Sequence, residues 1–222
     1  AADTEYGREV RARAVTSPRR ASPAGSPGGP ERSAARVQAI RDIFDGAIEA
    51  HRTMRDRDLA PVAEAARLIL DAVRNGKKVL AFGNGGSAAD AQHVAAELVG
   101  RFERHRRGVA AIALTTDTSI LTAVSNDYGF EQVFARQVDA LGAEGDVAFG
   151  ISTSGNSANV VAALDAARKR GMKTVALTGR DGGAIGRAAH VHVNVPEPST
   201  ARTQEVHRTI LHAICELVER EL

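Results

Sequence analysis

Residues 78–87 read KVLAFGNGGS, and residues 146–157 read DVAFGISTSGNS. Each opens with a short apolar run of strand length. Each run then breaks into a loop of Gly, Asn and hydroxyl residues just ahead of a helical pattern. A strand that is apolar along its whole length is buried on both faces, which suits a parallel sheet between helices. The rest of the chain repeats this unit, with further strands expected at Val109–Leu114, Thr174–Leu177 and Val191–Val195. Helices are expected at about 87–100, 117–124, 129–141, 157–170, 183–188 and 203–221. Upstream, Val37, Ile40, Phe44, Ala47 and Ile48 recur at three- and four-residue steps, so 34–54 reads as an amphipathic helix. A second helix over 58–74 stops at Asn75-Gly76. The expected fold class is α/β, with a parallel sheet covered on both faces.

The 222 residues, 43% hydrophobic, 25% charged and 4% aromatic, suit a globular domain with a proper core. They exclude a wholly disordered chain and a collagen-like repeat. No stretch approaches the ~20 apolar residues of a spanning helix, so no membrane partner is expected. A single cysteine, Cys215, excludes an internal disulfide framework and a Cys-cluster zinc site, and points to a reducing, cytoplasmic location.

The net charge of +2 is unevenly placed. Residues 1–36 hold seven Arg (8, 11, 13, 19, 20, 32, 36) against four acids, and the remainder holds 22 bases against 23 acids. The basicity belongs to the amino end. The body shows no basic face with interleaved aromatics, so no nucleic-acid partner is expected. Ser17–Pro30 reads SPRRASPAGSPGGP, without helical or alternating pattern. Residues 1–33 are therefore expected to form a disordered extension, and 34–222 the domain. Asp3, Glu5 and Glu9 argue against a transit peptide, and there is no apolar signal-peptide core.

In open parallel sheets, ligands bind beyond the carboxyl ends of the strands. The loop after 146–151 places Ser152, Thr153, Ser154 and Ser157 beside a helix amino terminus. Hydroxyls, free backbone N–H groups and the positive helix end together favour a phosphate group. No Lys follows Gly in the P-loop manner, which disfavours a nucleoside triphosphate. Asn84, Gly85 and Gly86 let backbone approach a ligand closely. Taken alone, each loop also suits a tight turn or a good helix cap.

His93 and Glu97, four residues apart, share a helix face and can chelate a divalent metal or share a proton. A plain surface pair is the alternative. Gln204 and His212 lie eight residues apart, a rise of ~12 Å at ~1.5 Å per residue. That spacing alone is a weak signal for one shared ion. Asn126-Asp127-Tyr128-Gly129 reads as a turn between helices. His51, His105, His190 and His192 form no constellation, and edge-strand placement explains the last two.

The motifs GNGGSAADAQHVAAE, ALTTDTSILTAVSNDYGFE, GDVAFGISTSGNS, ALTGRDGG and TQEVHRTILH together resemble the phosphoheptose isomerases of the sugar isomerase (SIS) fold, from about residue 36 to 222. The resemblance implies a three-layer α/β/α sandwich with a five-stranded parallel sheet, the extra helices lying at its amino end. It implies a homotetramer with active sites near subunit interfaces. It implies interconversion of D-sedoheptulose 7-phosphate and D-glycero-D-manno-heptose 7-phosphate through an enediolate, the entry to activated heptose.

By motif matching, the phosphate is expected at Ser152, Thr153, Ser154 and Ser157. The sugar is expected at Asn84, Gly85, Gly86, Glu97, Asn126, Asp127 and Gln204. One zinc ion per subunit is expected on His93, Glu97, Gln204 and His212, with Glu97 as base and His212 as its partner in proton transfer. Glu97 cannot be a tight ligand and a free base in one state. Where the family commonly has Ile before the Gln, this chain has Thr203. Two alternatives share the fold: a non-catalytic adaptor that binds the bacterial replication initiator, and an isomerase of amino-sugar phosphates. The adaptor is expected to lack the acid and the late imidazole, which this chain keeps.

Overall fold

A computed structural model describes residues 30–222. The chain falls into two compact units, Ala1–Ile43 and Phe44–Leu222. The described part of the first unit is the start of helix α1 (Pro30–Arg55), where Val37, Ile40 and Ile43 are exposed. The helix begins four residues before the expected position, at a proline whose fixed φ suits a first turn. The disorder expected for residues 1–29 lies outside the described residues.

The second unit continues α1 and then runs α2 (Ala60–Arg74), β1 (Val79–Gly83), α3 (Gly86–Val99), β2 (Ala111–Ala113), α4 (Thr118–Tyr128) and α5 (Val133–Leu141). It goes on through β3 (Val147–Ser152), α6 (Ala158–Lys169), β4 (Lys173–Gly179), α7 (Gly183–Ala188), β5 (Val191–Val195) and α8 (Thr200–Glu221). A 3-10 turn, Phe130–Gln132, joins α4 to α5. All five strands are parallel, in the order β2-β1-β3-β4-β5.

The two-residue period of the strands divides the core. Val79, Ala81, Val147, Phe149 and Ile151 face the layer of α2, α3 and α8. Leu80, Phe82, Ala148 and Ala176 face the layer of α5, α6 and α7. The result is the expected three-layer sandwich. Strand order reverses between β1 and β3, so β1 leads outward to β2 while β3 starts the other direction. The crevice beyond the carboxyl ends of that pair is the natural ligand site. It is where the two loops of the opening motif end.

Several boundaries differ from expectation. β2, an edge strand, keeps three of the six expected residues. The flanking backbone still bonds to β1, through Val79 N to Ala110 O and Leu114 N to Ala81 O, both 2.9 Å. α4 runs through Asn126–Tyr128, expected as a turn, and stops at Gly129. The helix expected over 129–141 is thereby split. α8 starts at Thr200 because the Ser199 side chain accepts from Arg202 N and caps it earlier than the apolar pattern implies.

Candidate active site

The hydroxyl loop leaves β3 at Ser152. Ser152 Oγ lies 2.9 Å from Ser157 Oγ and 3.3 Å from Ser154 Oγ, so three hydroxyls form one cluster. Ser157 is the N-cap residue of α6 but makes no side-chain cap bond to that helix. Val160 N and Val161 N both donate to Ser157 O, at 3.0 and 3.1 Å, and the helix amino end before them suits an acceptor at the cluster. Thr153 is half-buried, and its carbonyl packs against Gly179 at the end of β4. Such an arrangement of hydroxyls beside a helix amino end can hold a compact anion.

The first loop is tied to the second. Asn84 and Asn159 exchange two amide hydrogen bonds of 2.9 Å, linking the end of β1 to the first turn of α6. Gly85 precedes α3, and Gly86 opens it. A Cβ on Gly86 would stand 2.3 Å from Gln204 Nε2, so only glycine lets the Gln204 amide of α8 approach this backbone. Thr203 is buried and donates to Ser199 O at 2.9 Å, so the departure from Ile is accommodated inside the first turn of α8.

Beyond this loop α3 and α8 bring three donors together. His93, Glu97 and His212 each place a ligand atom within 4.8 Å of the others. His93 Nε2 lies 2.8 Å from His212 Nε2 and 3.4 Å from Glu97 Oε1. The side chains of His93 and Glu97 are 29% and 22% exposed, sheltered yet reachable. Burial, aided by the nearby Arg208 charge, lowers the His93 pKa. Two ring nitrogens and a carboxylate can bind a divalent ion such as zinc, or pass a proton.

Of the expected sugar contacts, Asn126 Nδ2 donates to Asp127 Oδ1 at 2.8 Å on the exposed end of α4.

The structure adds residues not anticipated from the sequence. Asp90 is 3% exposed, pairs with Arg208 Nη2 at 2.7 Å and leaves Oδ2 without a partner. Burial raises its pKa, and the Arg208 charge opposes that. Asp90, Gly86, Gln204 and Arg208 line an open cavity of about 510 Å³. The available signal was Asp90 three residues before His93, on the same helix face. Phe102, with its ring centroid 5.5 Å from that of His212, closes the other side of the triad. His190 and His192 bond to Thr174 and Thr178 on neighbouring β4, in agreement with edge-strand placement.

Comparison with known proteins converges on one family. The SIS domain family matches residues 44–179. A phosphoheptose isomerase from Geobacter sp. (strain M21) is 60% identical over 74% of this chain and 86% of its own length. The phosphoheptose isomerase of Aquifex aeolicus is 52% identical over 82% of this chain and 96% of its own. Among solved structures, phosphoheptose isomerase GmhA from Neisseria gonorrhoeae superposes with a TM-score of 0.78 at 50% identity, covering 82% of this chain and 98% of its own. A phosphoheptose isomerase from Francisella tularensis gives a TM-score of 0.80 at 38% identity, covering 83% and 98%.

Proposed function

This chain belongs to the phosphoheptose isomerases of the SIS domain family, and from that premise we propose how its residues divide the work. It is an aldose–ketose isomerase acting on sedoheptulose 7-phosphate. The adaptor reading is not favoured.

The phosphate binds at Ser152, Thr153, Ser154 and Ser157 with the first turn of α6. The sugar lies toward Asn84, Gly85, Gly86 and Gln204, with Asn126 and Asp127 as further contacts. Its C1–C2 end meets Glu97 and His212. Glu97 takes a proton from C1 of the ketose, the C1–H electron pair forms the C1–C2 double bond, and the C2 carbonyl π pair moves onto its oxygen to give an enediolate. The hydroxyl at C1 then gives up its proton to become the aldehyde oxygen, the oxygen at C2 takes a proton to become a hydroxyl, and the proton held by Glu97 returns at C2. His212 carries the proton between the two oxygens. The observation that carries the reading is the approach of Glu97 and His212 from separate helices to within ligand distance.

The donor set of His93, Glu97 and His212 fits zinc, with Gln204 as the fourth donor of the resemblance. A bound zinc ion would supply positive charge for the developing anionic oxygens. We take residues 34–222 as the catalytic domain and the cytoplasm as its location. Among the described residues, no helix is long and apolar enough to cross a membrane.

The test is Glu97→Gln, which keeps the size of the side chain and removes the base. Turnover of sedoheptulose 7-phosphate is expected to fall ~10³-fold with circular dichroism unchanged. Wild-type turnover would overturn the assignment. In the same assay, chelation with EDTA followed by zinc repletion separates the roles of Glu97. Loss and recovery of rate marks a required ion, and an undiminished rate removes zinc from the mechanism.

A further inference from the structure

One buried carboxylate joins the carboxyl ends of α3 and α8. Glu219, with its side chain 3% exposed, receives four hydrogen bonds. Oε1 accepts from Phe102 N at 2.9 Å and from Arg106 Nε at 3.1 Å. Oε2 accepts from Glu103 N and Arg104 N, both at 2.7 Å. Every donor belongs to the loop that follows α3. The charge is therefore matched by fixed dipoles and one guanidinium, the condition under which a buried carboxylate is tolerated.

Arg106 carries the connection onward. Its Nη2 donates to Glu97 O at 2.8 Å and its Nη1 to Leu98 O at 2.8 Å. These are carbonyls of the last turn of α3, which have no intrahelical partner of their own. The backbone of Glu97 is thus held by a side chain that Glu219 in turn holds. On α8, Glu219 lies seven residues after His212, two turns along the same face. Phe102, whose N–H is fixed by Glu219, sets its ring against His212. Both members of the proposed proton-transfer pair reach one carboxylate through a short chain of contacts.

We propose that Glu219 and Arg106 are positioning residues that fix the separation of Glu97 and His212. The proposal rests on the reading of those two side chains as the reacting pair. Small errors in such a separation are costly: a displacement of ~1 Å can lower a rate ~10²-fold. Supports behind metal ligands commonly contribute ~10- to 100-fold in affinity or activity.

The opposite end of the sheet provides a matched control. Asp146 is also buried and accepts from Lys78 N at 3.0 Å, from Lys78 Nζ at 2.5 Å and from Ala143 N at 2.8 Å. It ties the amino ends of β1 and β3 and has no link to the triad. A merely structural bracket and a positioning bracket therefore predict different outcomes for similar chemical changes.

The experiment compares Glu219→Gln, Phe102→Leu and Asp146→Asn in the full chain, by steady-state kinetics on sedoheptulose 7-phosphate, zinc titration of the metal-free protein and thermal unfolding. Glu219→Gln is expected to lower kcat ~10- to 100-fold with KM within about twofold, and to weaken zinc binding ~10-fold. Phe102→Leu is expected to lower kcat ~5-fold in the same pattern and decides the matter if Glu219→Gln does not fold. Asp146→Asn is expected to lower Tm while leaving kcat and zinc affinity unchanged. If Glu219→Gln and Phe102→Leu lower Tm alone, with kcat and zinc affinity per folded molecule unchanged, the proposal is overturned. Glu97→Gln keeps the two readings apart. Full activity there removes the catalytic pair itself, whereas an inactive Glu97→Gln beside a fully active Glu219→Gln removes only the bracket.

Discussion

Ser157 stands where a helix cap belongs, yet its hydroxyl turns to Ser152 at 2.9 Å and leaves α6 uncapped by its side chain. That choice makes sense for a residue that points toward a ligand. Ser157→Ala is expected to raise KM for the sugar phosphate ~10-fold, the loss of one hydrogen bond to a charged group. Changes in kcat should stay within about threefold, because the proposed phosphate site is apart from the proposed reacting pair. An unchanged KM in steady-state assay would remove Ser157 from the phosphate site. The hydroxyls were legible in the sequence because they are contiguous and follow an apolar run. His93 and Glu97 were legible as a pair because helical spacing is a local property. Their meeting with His212 could not be read from spacing and was expected only from the family resemblance, since it depends on how α3 lies against α8 across 119 residues of sequence. Asp90 and Arg208 escaped notice for the same reason: each looks like an ordinary charged helix residue until its partner is in place.

At the scale of elements, the position of every strand could be read from its apolar run, while some of the ends could not. Edge strand β5 falls on its expected Val191–Val195, central β4 runs past Thr174–Leu177 to span Lys173–Gly179, and β2 keeps only Ala111–Ala113. α4 outlasted its expected stop because the turn chemistry of Asn126-Asp127 yields to Gly129. The stretch between β4 and α7 was legible only as part of the motif ALTGRDGG, yet the first turn of α7 that it leads into braces the hydroxyl loop. Ile185 N donates to Gly155 O at 2.9 Å, and Ala184 N donates to Asn156 Oδ1 at 3.0 Å. Gly183 sits at φ +53°, and a Cβ there would come within 2.4 Å of Gly155 O. Gly183→Ala therefore strains its own backbone and pushes on the hydroxyl loop together. The expected cost is about 1–3 kcal/mol of stability, read as a lower Tm, with a higher KM for the sugar phosphate. A variant with unchanged Tm and KM would show that the two turns do not bear on one another.

At the scale of the molecule, the amino-terminal helix presents apolar side chains to solvent. Val37, Ile40 and Ile43 are 46%, 53% and 56% exposed in the first unit. Phe44 and Ile48 are 65% and 46% exposed at the start of the second. The sequence pattern showed an amphipathic helix, but period alone cannot say whether its apolar stripe meets the same chain or another copy. Among the described residues, Val37, Ile40, Phe44 and Ile48 form an exposed apolar stripe of the kind characteristic of an association surface. Its repeat at three and four residues suits a helix packed on helices. A second copy of the chain is the simplest occupant, since an isologous contact makes one patch serve both partners. The homotetramer implied by the resemblance would use such a surface. The double variant Phe44→Glu, Ile48→Glu places charges where that contact must be dry, so size-exclusion chromatography with light scattering should show a smaller species than the unaltered chain. If active sites form near subunit interfaces, kcat/KM falls with the size. An unaltered mass would assign the stripe to some other use, and a smaller species with full kcat/KM would mean that one chain completes its own site.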